Sequence, residues 1–101
     1  LMHEICLTLL CPSMLEEKLL DMLLISPEIT MFTSSQTAAH GLSHARLNAS
    51  EQVLGRAFVT QVQALLLLKD QTAILAKIEQ QFAGAGLRYW MTPVIAAGEL
   101  V

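Results

Sequence analysis

The sequence predicts one α+β domain: a ferredoxin-like βαββαβ sandwich, an antiparallel sheet with two helices on one face. Three observations predict it. Residues 3–11 alternate as a strand, two later segments repeat their apolar residues at helical spacing, and Pro or Gly closes each of those helical segments. At 101 residues the chain fits a single domain over 1–101, large enough to bury a core without a disulfide or metal.

The elements follow in order. In residues 3–11, Ile5, Leu7, Leu9 and Cys11 form one apolar face, and Glu4, Cys6, Thr8 and Leu10 form a mixed second face. Pro12 stops the strand. Ser13-Met14-Leu15-Glu16 has the S-x-x-E form of a capping box. Leu15, Leu19, Met22 and Leu23 then make the buried stripe of a helix whose other side carries Glu16, Glu17, Lys18 and Asp21. Ser26-Pro27 ends it, because a residue before proline is pushed out of the α region.

A second strand is expected from Ile29 to about Thr37. The polar stretch that follows reads as a loop over about 36–52, too long for an ordinary hairpin turn and therefore a functional candidate. Val53–Leu68 reads as one long strand with Gln61 and Gln63 on a shared face. Asp70 is placed as the N-cap of a second helix, with Ile74, Leu75, Ile78 and Phe82 buried and Gly84 or Gly86 as its left-handed stop. Leu87–Ile95 is the last strand. Pro93 removes one ladder donor, which suits an edge.

Composition narrows function. The chain is 53% hydrophobic and 15% charged, whereas a soluble domain carries about 25% charged residues. The sheet face opposite the helices is too apolar for water, so self-association is expected. A net charge of −3, six scattered Lys and Arg, and five aromatic residues argue against nucleic acid. No apolar run reaches the roughly 18–20 residues that span a bilayer, and no basic region precedes an apolar leader, so a cytoplasmic location is expected. Cys6 and Cys11 fall on opposite strand faces and are expected as reduced thiols.

No catalytic set emerges. There is no nucleophile elbow, no Walker loop and no G-x-G-x-x-G, and the acidic residues of the first helix sit on a solvated face, so no enzyme is expected. His40 and His44 are the metal candidates: at i and i+4 their imidazoles would share an ion if the loop became helical, with a third ligand from elsewhere. Solvated loop histidines are the plainer reading. Arg46, Arg56 and Arg88 are candidates for holding an anion at a subunit cleft, with Arg56 and Arg88 the cofactor-binding pair. Surface ion pairing is the commoner fate of such residues. The identity of any cofactor is unknown from the residues.

Four segments carry a family resemblance: Leu-Thr-Leu-Leu-Cys-Pro at 7–12, Leu-Glu-Glu-Lys-Leu-Leu-Asp at 15–21, Ser-Glu-Gln-Val-Leu-Gly-Arg at 50–56 and Gly-Ala-Gly-Leu-Arg-Tyr-Trp-Met-Thr-Pro-Val at 84–94. In order and over most of its length, the chain resembles the PII-like family of trimeric, nitrogen-regulatory-type ferredoxin-like proteins. It is most similar to an uncharacterised subfamily that accompanies heavy-metal efflux systems in Gram-negative bacteria. The resemblance implies a homotrimer with clefts between protomers. It also implies a regulatory role in signal transduction, exercised through the loop on a protein partner such as a membrane transporter component. The loop has no tyrosine, and the basic and glycine pattern that cradles nucleotide phosphates is largely missing, which bears against nitrogen sensing by ATP and 2-oxoglutarate.

Overall fold

In β1 (Glu4–Pro12) the predicted alternation is realised: Ile5, Leu7, Leu9 and Cys11 are buried toward the helices, while Cys6 and Leu10 are half-exposed on the other face. The computed structural model describes residues 3–41 and 48–101. Its elements run β1, α1 (Glu16–Leu24), β2 (Ile29–His40), α2 (Ala49–Leu54), β3 (Arg56–Leu67), α3 (Gln71–Phe82) and β4 (Arg88–Val94). The strands form one antiparallel sheet in the order β2-β3-β1-β4. This is the ferredoxin-like sandwich, with a short helix added between β2 and β3.

Register decides what shares a face. Ile5, Leu7 and Leu9 lie opposite Leu66, Ala64 and Val62 of β3. Leu19, Met22 and Leu23 of α1 and Ile74, Ile78 and Phe82 of α3 close over this row to complete the core. Each helix buries its predicted stripe, with Leu15 and Leu75 partly covered. Lys18 ties the two helices together: its ammonium donates to the Gln81 carbonyl at 3.0 Å and sits 4.8 Å from the Phe82 ring centre. A cation near the end of α3 also opposes the helix dipole favourably.

The opposite face carries Thr92, Cys6, Leu65 and Met31 in one row and Trp90, Thr8, Gln63 and Thr33 in the next. Trp90 rather than Tyr89 belongs to this face, since Tyr89 lies opposite Leu9. Cys6 and Cys11 are both free thiols on opposite faces, as their spacing requires. Pro93 sits in the edge strand β4.

Three local expectations are corrected. The loop expected over 36–52 is shorter at both ends: β2 runs on to His40 and α2 begins at Ala49. The strand expected from Val53 starts at Arg56, because residues 53–54 finish α2 and Gly55, at φ 70°, turns the chain in the left-handed region. The box expected at Ser13 is not made. Residues 13–15 form a 3₁₀ turn, α1 starts without a side-chain cap, and the Ser13 hydroxyl donates to the Phe58 carbonyl at 3.2 Å. Asp70 does precede α3, but its side chain caps nothing.

Candidate functional site

At the end of the sheet where β1 stops and β3 and β4 begin, the surface opens into a cleft of about 950 Å³. Its apolar lining includes Leu10, Met14, Phe58 and Leu87, and Asn48, Glu51, Arg88 and Tyr89 bring polar atoms to it. Local chemistry builds each wall. The α3–β4 connection turns on Gly84 (φ 76°) and Gly86 (φ 87°), conformations that side chains oppose. That turn delivers Arg88 to the cleft at the first residue of β4, across from Leu10.

The facing wall is the start of α2. Asn48 and Glu51 form a reciprocal capping box: Glu51 N donates to Asn48 Oδ1 at 2.8 Å, and Asn48 N donates to Glu51 Oε1 at 3.1 Å. The second oxygen of Glu51 accepts from Phe58 N at 2.8 Å, so one carboxylate joins α2 to β3. The amides of Asn48 and Phe58 hold this carboxyl below the usual carboxylate range.

Beside the cleft, Gln36 donates to Glu16 Oε1 at 3.2 Å and to Thr60 Oγ1 at 3.1 Å, linking β2 to α1 over the fully buried Thr60. Cys11, opposite Thr60 in register, is pushed up to about 11 by burial and then by the nearby Glu16 charge. Such a thiol is a core residue and not a nucleophile.

The sequence candidates separate. Arg88 lines the cleft, and its side chain makes no hydrogen bond or ion pair among the described residues. Arg56 stands at the start of β3, its guanidinium 5.5 Å from the Phe58 ring centre, and its buried Nε has no hydrogen-bond partner among the described residues. His40 is exposed at the end of β2, opposite Arg56. His44 and Arg46 lie outside the described residues. Among the described residues, no group of three metal-ligating side chains is found. Sequence reasoning missed Asn48, Glu51 and Phe58. The signals were present: Asn48-x-x-Glu51 is a box and Gly55 a stop, but the six residues between Asn48 and Gly55 are too few to show helical periodicity.

Together these elements define a small ferredoxin-like α+β module with an open cleft at one end of its sheet. The chain belongs to the family described as "Protein of unknown function (DUF3240)", whose model matches residues 2–101. Among solved structures it is similar to a DUF3240 family protein from Shewanella baltica OS155, 16% identical, with a TM-score of 0.80 over 97% of both chains. That likeness carries the fold. No curated protein matches the chain. No helix among the described residues is long and apolar enough to cross a membrane.

Proposed function

We propose that this protein is a PII-like regulatory module that works by ligand-dependent protein–protein interaction. The observation that supports it is the position of the cleft. Asn48 and Glu51, which line it, stand where the connection from β2 rejoins the fold, and Arg88 lines it from the α3–β4 side. A ligand bridging these groups pulls on the root of the 41–48 connection and so alters what that connection presents to a partner.

Self-association belongs to the same reading. On the face away from the helices Met31 is 52% and Trp90 43% exposed, and Glu4 Oε2 is buried there without a hydrogen-bond partner among the described residues. A homotrimer formed through this face covers the apolar surface and brings the cleft against a neighbour. The family resemblance supplies the partner class, a membrane transporter component of the heavy-metal efflux kind, and a cytoplasmic setting is part of the same proposal.

Thermal shift against adenine nucleotides and divalent metals tests the ligand step. Stabilisation by one ligand that Arg88→Ala abolishes supports the cleft. Stabilisation by a metal that His40→Ala with His44→Ala abolishes would assign the site to the histidines instead. Replacing residues 42–47 by a Gly-Ser linker should spare assembly and remove capture of the transporter component. Unchanged capture sinks the regulatory reading.

A further inference from the structure

The two edges of the sheet are built differently. β4 is short, spanning Arg88–Val94, and carries both Arg88 and Pro93, features that discourage strand addition. β2 is a 12-residue edge, Ile29–His40, with no Lys, Arg, Asp, Glu or Pro. Its one irregularity is a bulge between Ile29 and Met31, near its start, leaving the run from Met31 onward regular. From Thr33 to Gln36 every residue is exposed. A long, regular, uncharged edge presents a row of backbone donors and acceptors with nothing to repel a second strand.

We propose that the β2 edge pairs antiparallel with β2 of a second copy, about a two-fold axis at Ser35. Ser35 lies next to the middle of Ile29–His40, so this register overlaps the two strands almost completely. With Ser35 opposite its equivalent, Thr33 meets Thr37 and Met31 meets Ala39 on the helix-free face. On the helix side, Ser34 meets Gln36 and Phe32 meets Ala38. Every pair then joins residues of the same face, as a continuous sheet requires. Thr33–Thr37 sets hydroxyl against hydroxyl, Met31–Ala39 and Phe32–Ala38 set large apolar against small, and Ser34–Gln36 is an uncharged polar pair. No like charges meet anywhere along the edge. A two-fold contact needs such self-complementarity, and β4 lacks it. The pairing uses the edge and not the face, so it stands or falls apart from the regulatory reading.

Substitutions at Ser35 test it, because that side chain is exposed and its loss leaves the core intact. Ser35→Cys in a Cys6→Ser background should give a disulfide-linked dimer on mild oxidation, since paired Cα atoms about 4.5–5.5 Å apart fall within disulfide reach. Ser35→Lys alone and Ser35→Glu alone should each halve the solution mass at low salt, weakening the contact by about tenfold or more, and an equimolar mixture of the two should restore it. A Ser35→Cys chain that forms no linked dimer, with Ser35→Lys leaving the mass unchanged, overturns the pairing. Cross-linking of Ser35→Cys to a cysteine placed in β4 overturns it too, by giving the edge to a neighbour's β4. Trp90→Ala is the control: it perturbs the face and leaves the Ser35 cross-link in place.

Discussion

Trp90→Ala separates covered from solvated apolar surface. Trp90 lies opposite Thr8 on the face without helices and is 43% exposed in the single chain. A tryptophan offers roughly 250 Å², so the exposed share is about 110 Å². At about 25 cal/mol per Å² this is worth roughly 2.7 kcal/mol per protomer if another copy covers it. That corresponds to about a hundredfold in an association constant, an upper value because ordering at the interface opposes it. Sedimentation equilibrium of wild type and variant over a range of concentrations reads the constant directly, with circular dichroism to show that the sheet is retained. Weaker association of up to that size, with the fold intact, is the expected result. An unchanged mass distribution would mean that water, and no second copy, meets this face, and the trimer would be lost with it.

Other consequences are narrower. Leu9→Ala empties a fully buried position between Val62 and Tyr89 and should cost about 2–5 kcal/mol in denaturant unfolding. Cys11, fully buried, should react with a thiol reagent only on unfolding, whereas Cys6, half-exposed in the single chain on the face that carries Trp90, should react faster in Trp90→Ala than in the wild-type assembly. Because burial raises the Cys11 thiol, its contribution to stability is complete below about pH 9 and declines toward about pH 11, which urea midpoints across that range will show. Glu28 is held low by its bond from Lys77 at 2.7 Å, and Glu51 by the amides of Asn48 and Phe58. Lowered carboxyls stabilise the fold above the unfolded value of about 4.3 and lose that contribution as pH falls through their folded values. Acid titration of Glu28→Gln and Glu51→Gln should therefore be flatter than that of wild type.

Much of the fold was legible because it rests on short-range periodicity. Ile5, Leu7, Leu9 and Cys11 can face one way only on an extended chain, and Leu19, Met22 and Leu23 align only on a helix. Gly84 and Gly86 marked a left-handed turn and Pro93 an edge. The cleft was less so. Arg88 stood out as a cation after a glycine turn, but its counterparts Asn48 and Glu51 were read as loop, since a six-residue helix is too short to declare a period. Phe58 falls inside the strand read over 53–68, and nothing in its spacing set it apart from its apolar neighbours, yet it is half-exposed at the cleft.

The same four-residue pattern shows where local information ends. Ser13-x-x-Glu16 and Asn48-x-x-Glu51 both spell a capping box, and only the second is made. Residue order alone determined that α1 would follow Pro12 and which side of it would be buried. The rest was decided by strands distant in sequence: Phe58 offers its carbonyl to Ser13, and Gln36 reaches Glu16 from β2. Asn48 and Glu51 bond each other, and the same carboxylate also takes the amide of Phe58. A side chain with several partners within reach goes to those the assembled sheet brings closest, and that distance is a property of the tertiary structure.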